Sequence, residues 1–455
     1  MSPDAAHALI VAAVFMGIFA LGEGVRKAVP HKPEIARKTV HFLGGLTALS
    51  FPYLIRSHWT VLGLAVTFAG IIVLAGKLGI LKAIHGVERE SRGDLYFPIS
   101  IYLVFFLSRG NPVLYIISIL VMTAADALAA LVGGKYGTTR FDVEGNLKSL
   151  EGSLVFFLIT FLCVHLPLLF LTDAGRVETV LIALIIALLV TGFEAISLSG
   201  SDNLFVPLGT FYILAKMTPH PLWIVADQLK LLGFIAGLTL LTFSLPPRFL
   251  KTSGLIGAIL LNYGAWGLCG FEWFLPLYLA EILCYLVIRY FATRVKEDIV
   301  HYQIRILLYT ALVPTLLLFA ANSIEAREML FLPYLTSVAG QITVILYFFF
   351  FLVPEGGGPI LNVLARHKSI AAFFSGAVST VFIAGLPALL YRHLPLQYTI
   401  ALAGAGTLLS TALFHGLISR YPWKEDEMLI HKMRLVSVGA GVLLVSAVEV
   451  FTSWR

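Results

Sequence analysis

The chain has 455 residues, of which 58% are hydrophobic and only 13% are charged, and its mean hydropathy is +0.90. A soluble protein of this size carries about twice that share of charge, so the composition excludes a water-soluble globular fold. In so apolar a chain we attribute the net charge of +6 to loops at a membrane surface and not to nucleic-acid binding.

About sixteen apolar segments follow one another from end to end of the chain, most of them about 17 to 23 residues long. As helices, segments of this length cross the roughly 30 Å hydrocarbon core of a bilayer. Backbone groups in lipid must find partners within the segment, so the sequence predicts an all-α fold, a polytopic integral membrane helical bundle of about 14–16 transmembrane segments. The segments centred near residues 102 and 210 are short. The first segment begins with an acidic residue and no basic stretch, so we expect a first span and not a cleaved signal peptide.

Lysine and arginine are distributed unevenly between alternate loops. One set of loops holds 24 of the 32 basic residues, and the other set holds the remaining 8. Because loops rich in Lys and Arg stay in the cytoplasm, the count predicts an N-terminus outside and the first, third, fifth and seventh loops inside. Polar groups in those loops would then face cytoplasmic nucleotides and metabolites.

The first polar cluster is PEIARKTVHFLGG, residues 33–45. On a helix its charged members are spaced three and four apart, and they therefore share one face: Glu34, Arg37, Lys38 and His41. Two cations, an acid and an imidazole at the cytoplasmic edge of a membrane suit the binding of phosphate oxygens. The alternative is a basic flank that anchors the second span.

The second cluster, DALAALVGGKYGTTRFDVEGNLKSLEGS, occupies residues 126–153 between two apolar runs. If the preceding span ends near Gly133, Asp126 lies about two helical turns, roughly 10 Å, below the membrane surface. A carboxylate at that depth is costly and normally faces the bundle interior or a wet cavity. We expect the loop that follows to be flexible and to approach an anion, through three glycines at 133, 134 and 137 and three cations, Lys135, Arg140 and Lys148.

The end of the same cluster opens the next apolar run. Ser149 is predicted to cap that helix, whose N-terminus would offer free N–H groups to a phosphate. Glu151 would stand beside that phosphate, where a divalent cation between the two anions makes its charge tolerable. Two acids, a basic glycine loop and a helix N-terminus together suit a magnesium triphosphate. The alternative is a basic cytoplasmic loop, with Asp126 as a structural polar contact.

The third cluster is FEAISLSGSDNLFVPLG, residues 193–209. Glu194 ends the seventh apolar segment, Asp202 and Asn203 open the short eighth one, and Pro207 interrupts it. Short segments broken by proline at membrane depth often line a cavity. An ordinary Asx-capped helix start is the alternative.

These three clusters together resemble a known family. The patterns E-x-x-RK-x-x-H, D-x-x-AALVG-x-x-(Y/F)G-x-x-R…KS-x-EGS and E-x-x-S…DNL-x-VP, in this order over roughly residues 1–245, are similar to those of the CTP-dependent polyprenol, phytol and dolichol kinases. Two positions depart from the family pattern: Gly134 stands where a basic residue is common, and Phe205 where Thr is frequent.

The resemblance implies transfer of the terminal phosphate of CTP, or another nucleoside triphosphate, to the hydroxyl of a membrane-dissolved isoprenoid alcohol. Asp126 and Glu151 would hold Mg²⁺ or act on the nucleophile, with Lys148 and His41 as further catalytic groups. The phosphates and nucleotide would be held by the remaining positions of the motifs, namely Arg37, Lys38, Gly133, Gly137, Lys135, Arg140, Ser149, Asp202 and Asn203.

The remainder, residues 246–455, is predicted to be a second membrane domain with a degenerate or scaffolding role. Residues 248–266 resemble the start of a membrane family that includes phytyl-phosphate kinases. The acidic motif of that family is missing from the corresponding LTSVAGQITVIL segment, although a glycine turn with an acid remains in PEGGGP, residues 354–359. A second active kinase is the alternative.

Other functions compete with the lipid-alcohol kinase. A diacylglycerol kinase is a close relative, and a phosphatidate-type cytidylyltransferase would attach CMP to a phosphorylated lipid. The sequence lacks the C-terminal Lys-Asp…Pro-Gly-His-Gly-Gly signature of the cytidylyltransferases. A transporter would show paired broken helices in two repeated halves, whereas here the acids and the glycine loop are confined to the first half.

Overall fold

The structure is a computed structural model that describes residues 3–81, 92–244, 250–292, 304–324, 326–352, 362–363, 366–390, 395–421 and 427–453. The chain forms two compact units, Met1–Lys230 and Leu231–Arg455. The division falls inside one helix and therefore before residue 245. The predicted functional boundary between residues 245 and 246 stays a prediction.

The first unit is built of helices and one small hairpin. In chain order its elements are α1 (Pro3–Ala28), α2 (Pro33–Ala48), α3 (Phe51–Leu54), α4 (His58–Leu78), α5 (Gly93–Leu107), α6 (Pro112–Leu120), a π-helical segment (Val121–Ala125), α7 (Asp126–Tyr136), β1 (Arg140–Val143), β2 (Asn146–Ser149), α8 (Leu150–Leu171), α9 (Arg176–Ala195), α10 (Asp202–Met217) and α11 (Leu222–Phe243), which continues into the second unit.

The second unit is entirely helical over its described residues. Its further elements are α12 (Thr252–Cys269), α13 (Phe271–Ala292), α14 (Ile304–Ser323), α15 (Arg327–Leu352), α16 (Lys368–Ser379), a second π-helical segment (Thr380–Gly385), α17 (Leu386–Leu390), α18 (Leu396–Arg420) and α19 (Glu427–Ser453). Helix α15 forms the centre of this unit: it packs against α13, α14, α16, α18 and α19, and most of its apolar span is buried. The PEGGGP segment lies outside the described residues.

The all-α membrane fold predicted from the sequence is confirmed. Eleven helical stretches among the described residues are long and apolar enough to cross a bilayer. Shorter or more polar helices lie between them and account for the other predicted segments: α2, α5, α10, α12 and α13. The two segments predicted to be short are α5 and α10, with 15 and 16 residues. The chain is an integral membrane protein.

The helices of the first unit run up and down, so that their ends gather at two faces. At one face the Asp4 carboxylate, at the start of α1, accepts hydrogen bonds from the backbone N–H groups of Arg56 and Ser57, at 3.3 and 2.8 Å. His58, the first residue of α4, packs edge-on against Phe106 near the end of α5. The end of α1, the start of α2 and the β1–β2 hairpin therefore belong to the opposite face.

Candidate active site

A buried ion pair joins α2 to the start of α7. Nζ of Lys38 lies 2.5 Å from Oδ2 of Asp126, and the two side chains are only 9% and 14% exposed. His41, one turn further along α2, places Nε2 at 3.5 Å from the same carboxylate oxygen. A buried carboxylate needs compensating positive charge, which Lys38 supplies. Lys38 was expected to contact the nucleotide and Asp126 a metal, whereas in this structure they bind each other.

A glycine lets α2 approach the helix that carries Asp126. A Cβ atom at Gly45 would lie 2.0 Å from Oγ1 of Thr123, so no other residue fits this position without displacing the neighbouring helix. Thr123 belongs to the π-helical segment, and such segments are frequent at functional sites. Further along α2, the fully buried Tyr115 donates a hydrogen bond from its hydroxyl to the carbonyl oxygen of Ala48. The ion pair, this close approach and the Tyr115 hydrogen bond together hold α2 against this span.

An apolar groove of about 700 Å³ opens beside the ion pair, between α1, α2, α4 and α5. Its polar end is formed by Arg37, His41 and Asp94, and the rest is formed almost wholly by apolar side chains: Phe15, Phe19, Val40, Phe51, Val61, Leu64, Ala65, Phe68, Ile72, Phe97, Pro98 and Ile101. A pocket with an apolar body and a few convergent polar groups is typical of a site for an amphiphilic ligand. His41 belongs to both features, because it lines the groove and contacts the carboxylate of the ion pair.

Arg37 is held in place by its neighbour on α2. Its Nε and Nη2 atoms donate to the two carboxylate oxygens of Glu34 at 3.0 and 2.7 Å, a bidentate arrangement that fixes the plane of the guanidinium group. The charged residues predicted to share one face of α2 therefore contact two different parts of the site. Arg37 lies at the mouth of the groove, and Lys38 turns to the buried acid.

The predicted flexible glycine loop is instead the end of a helix followed by a hairpin. Helix α7 continues to Tyr136, so Gly133 lies inside it. A Cβ atom at Gly133 would lie 3.2 Å from Cα of Gly152, and one at Gly137 would lie 2.7 Å from Oγ of Ser149. These glycines therefore serve the close packing of α7 on α8. Their predicted contact with phosphate stays a prediction.

The β1–β2 hairpin places the last residues of the second cluster. It pairs antiparallel with Arg140 opposite Ser149, and its turn contains Gly145 at a φ of +84°, which glycine adopts easily. Oγ of Ser149 accepts a hydrogen bond of 3.1 Å from the backbone of Gly152. The predicted N-cap of α8 is confirmed.

Lys148 brings the second and third clusters together. Its Nζ lies 2.7 Å from Oε1 of Glu194 and 3.0 Å from Oγ of Ser197, and it also donates to the carbonyl oxygen of Glu194. Both charged side chains are less than one-fifth exposed. The hairpin is therefore fastened to the end of α9. The predicted phosphate contact of Lys148 would require this ion pair to open.

Glu151 contacts the turn that follows α7. Its Oε1 accepts hydrogen bonds of 3.0 Å from the backbone N–H groups of Thr138 and Thr139, and a further one from the Thr138 hydroxyl. Because these residues come after the 11 residues of α7, the helical rise separates Glu151 from Asp126 by about 15 Å. One magnesium ion cannot bridge carboxylates so far apart. The predicted metal pair therefore does not fit this arrangement, and no group of three His, Cys, Asp or Glu side chains in the described ranges would replace it.

Asp202 and Asn203 open α10 at the same face. Oδ1 of Asp202 is buried without a hydrogen-bond partner, and Asn203 is 7% exposed. The carbonyl oxygen of Ser199, in the preceding turn, accepts a 3.0 Å hydrogen bond from the backbone of Arg92, which joins this turn to the start of α5. Of the other predicted phosphate ligands, Lys135 and Arg140 are exposed on α7 and β1.

Comparison with known proteins places the chain in a family. It is 37% identical over 206 residues to a phytol kinase from Synechocystis, and the match covers 45% of this chain and 88% of that relative. The chain belongs to the phytol kinase family. Probable phytol kinases of plant chloroplasts match at lower identity: 27% over 234 residues in Oryza sativa subsp. japonica, with 46% and 72% of the two chains covered, and 26% over 199 residues in Glycine max, with 40% and 64% covered. No protein-family model matches the chain, and no solved structure matches it.

One residue at the mouth of the groove, Asp94, was not predicted from the sequence. Asp94, in the first turn of α5, lines the apolar groove and also a second cavity, of about 660 Å³, together with Lys77 and Arg92. A carboxylate in the first turn of a helix is favoured by the helix dipole. The signal in the sequence is an acid at the start of a short apolar segment that follows a basic loop, SRGDLYFP.

Proposed function

We propose that the chain is a lipid-alcohol kinase that transfers the terminal phosphate of CTP to the hydroxyl of phytol or a related long-chain isoprenoid alcohol. One observation carries the proposal: His41 lies at once on the apolar groove and 3.5 Å from the carboxylate of the buried Lys38–Asp126 pair. The sequence similarity to phytol kinases supports the choice of alcohol. The resemblance of the three motifs to CTP-dependent kinases supports CTP as the donor.

The alcohol would lie with its hydrocarbon chain in the groove and its hydroxyl at the polar mouth. The rings and aliphatic side chains of α1, α4 and α5 offer an environment as apolar as lipid. The hydrocarbon chain of the alcohol therefore moves from the bilayer into the groove at little cost in free energy. The hydroxyl then lies within reach of His41. The groove thereby fixes the reacting oxygen next to the charged cluster, and such positioning is the main contribution of a protein to phosphoryl transfer.

In the proposed reaction His41 takes the hydroxyl proton as general base. The alcohol oxygen forms a bond to the terminal phosphorus of CTP, the bond from that phosphorus to the bridging oxygen breaks, and CDP leaves. Asp126 stabilises the imidazolium, and Lys38 holds Asp126 in place. Arg37 at the mouth neutralises charge on the transferred group. Mg²⁺ stays a prediction outside this scheme, because its predicted ligands do not meet.

The test is a transfer assay on the purified full-length protein. CTP labelled in its terminal phosphate is supplied with Mg²⁺ and with phytol, farnesol-type alcohols, dolichol or diacylglycerol in turn. We expect label in the phosphorylated isoprenoid alcohol and a smaller yield with diacylglycerol. Label in diacylglycerol alone, or pyrophosphate release with formation of a CDP-lipid, would overturn the proposal.

Matched variants connect the activity to the groove and the pair. His41→Ala is expected to lower the rate by about 100-fold or more, the usual scale for a lost general base. Asp126→Asn is expected to lower the rate as well, because the imidazolium loses its counter-charge. Arg176→Met serves as the control, because Arg176 is exposed in the first turn of α9 and does not line the groove. Phe68→Trp, which reduces the groove, is expected to raise KM for phytol more than for shorter alcohols. Equal effects on all alcohols would contradict the assignment of the groove.

A further inference from the structure

The second unit contains a cavity that the kinase reaction does not use. It has an empty volume of about 680 Å³ and lies among α12, α13, α14 and α15, with an almost wholly apolar lining. Two of its lining side chains are an acid and an amide, Glu281 and Gln341.

Polar atoms in this cavity are buried without partners. Oε1 of Glu281 and both amide atoms of Gln341 have no hydrogen bond, and Gln341 is only 3% exposed. The other carboxylate oxygen of Glu281 accepts a 2.7 Å hydrogen bond from Nδ2 of Asn262, whose own carbonyl oxygen is again buried and unpartnered. Buried polar groups are nearly always hydrogen-bonded, so four unpartnered atoms in one region indicate a missing partner.

The three polar residues lie at the middle of their helices. Glu281 is near the centre of the 22-residue α13, and Gln341 near the centre of the 26-residue α15. In a membrane such positions are remote from both surfaces. An ionisable side chain at that depth is costly and marks a functional site by default. The ligand must therefore reach the middle of the bilayer, which requires a largely apolar molecule.

The donors and acceptors of the cavity define the polar group of that ligand. The unpartnered atoms of the lining side chains are two acceptors and one amide donor, which match a hydroxyl group because it donates one hydrogen bond and accepts others. None of the described residues that line the cavity is basic. A phosphate next to Glu281 would bring two negative charges together without compensation, so a phosphorylated lipid does not fit.

We propose that this cavity is a second lipid site, which binds a neutral long-chain alcohol by its hydroxyl at Glu281 and Gln341. The proposal stands on the cavity of the second unit alone and does not require the kinase reaction. It gives the second unit a role in holding the unphosphorylated alcohol. It also distinguishes that site from the groove of the first unit, whose mouth carries Arg37.

The test is photolabelling of the purified full-length protein with a diazirine-bearing isoprenoid alcohol, followed by peptide mapping. We expect saturable label in peptides of α13 and α15, displaced by the unlabelled alcohol. The methyl ether of the alcohol, which cannot donate a hydrogen bond, should compete about fivefold more weakly, the factor expected for one ordinary hydrogen bond. The phosphate monoester should not compete at this site.

Two variants control for folding. Gln341→Leu keeps the approximate volume and removes a buried amide that has no partner, so we expect unchanged thermal stability and about fivefold weaker labelling of the second unit. Thr343→Val is the matched control on the same helix, because its hydroxyl is already bonded to the carbonyl oxygen of Ala339. If Gln341→Leu fails to fold, Glu281→Gln takes its place.

The outcomes separate this proposal from the kinase. His41→Ala should lower transfer by about 100-fold and leave the label in α13 and α15 unchanged. Absence of saturable label there, equal competition by the ether, or label insensitive to Gln341→Leu and Glu281→Gln would overturn the second site, whatever the transfer assay shows. In that case ordered water would satisfy the four atoms.

Discussion

The Lys38–Asp126 ion pair lies in surroundings that solvate charge poorly. Its two side chains are only 9% and 14% exposed. In water an ion pair contributes about 0–1 kcal/mol to stability, because solvent screens it. A buried pair that loses one partner leaves an uncompensated charge in a medium that solvates it poorly. Loss of one partner of Lys38–Asp126 therefore costs more free energy of unfolding than loss of one partner of an ion pair in water.

Removal of one partner of the buried pair should lower the free energy of unfolding more than removal of both partners. Lys38→Met or Asp126→Asn alone is expected to lower the free energy of unfolding by about 3–5 kcal/mol. The double variant should recover a large part of this loss, although its transferase activity stays low. Thermal unfolding in detergent measures the coupling between the two positions.

The control for this cycle is Arg176→Met at the exposed start of α9, for which the expected change is below about 1 kcal/mol. Additive losses in the Lys38 and Asp126 double variant would show that the two groups do not form a pair in the folded protein.

The members of this pair were recognisable in the sequence, but the pair itself was not. Lys38 stood out by its helical spacing from His41, and Asp126 by its position in an apolar run. They are 88 residues apart in the chain, and nothing local to either one indicates the other. The contact depends on the approach of two helices, which in turn depends on Gly45 and Thr123. The sequence therefore predicted the chemical groups of the site better than their partners.

At the scale of helices, glycines determine how closely neighbouring elements approach. Gly45 meets a side chain on the π-helical segment, whereas Gly133 meets the backbone of Gly152. Contrary to the sequence analysis, Gly133 does not end α7. Composition alone could not distinguish these cases, because a glycine in a turn and one at a helix contact look alike in a single sequence.

Gly45→Ala should separate α2 from the span that carries Asp126. The added methyl group would lie within 2.0 Å of Oγ1 of Thr123, so one helix must move. Overpacking of this kind costs about 1–3 kcal/mol, and the movement should also weaken the Lys38–Asp126 contact and lower activity. Thermal unfolding and the transfer assay measure the two effects, and a second substitution, Thr123→Ala, should restore part of both.

Gly63→Ala on α4 is the matched control, because no atom lies within 4 Å of the added Cβ. That change should be neutral or stabilising by up to about 1 kcal/mol, as alanine favours a helix. Equal losses in the two variants would contradict a specific contact at Gly45.

The hairpin depends on one lysine for its attachment to α9. Lys148→Met removes the contacts to Glu194 and Ser197, and the hairpin should then open more often. We expect several-fold faster cleavage by chymotrypsin at Phe141 and Leu147 in the native protein. Lys135→Met is the control, because that exposed lysine contacts the ring of Tyr136 on its own helix. Unchanged cleavage in Lys148→Met would show that the ion pair does not hold the hairpin.

For the whole molecule, hydrophobicity predicted the spans far better than the functions of the two units. Sixteen apolar segments were expected, and a helix lies at each of them, including the two short ones. Hydropathy works here because every backbone group in lipid must be satisfied inside its own helix. The cavity at Glu281 was not predictable in the same way, since its lining comes from helices that meet only in the folded second unit.

The last prediction concerns the side of the membrane on which the groove, ion pair and hairpin open. Leu147, exposed on β2, lies at the face that holds the hairpin, and Asp173 lies between α8 and α9 at the opposite face. Since 24 of the 32 basic residues fall in the set of alternate loops to which the hairpin belongs, the hairpin side should be cytoplasmic. A membrane-impermeant maleimide should therefore label Asp173→Cys in intact cells and Leu147→Cys only after permeabilisation. The wild type is the background control, because Cys163 and Cys269 are buried and Cys284 is half-buried. The reverse pattern would place the hairpin outside, away from cytoplasmic CTP, and would contradict both the sidedness and the proposed donor.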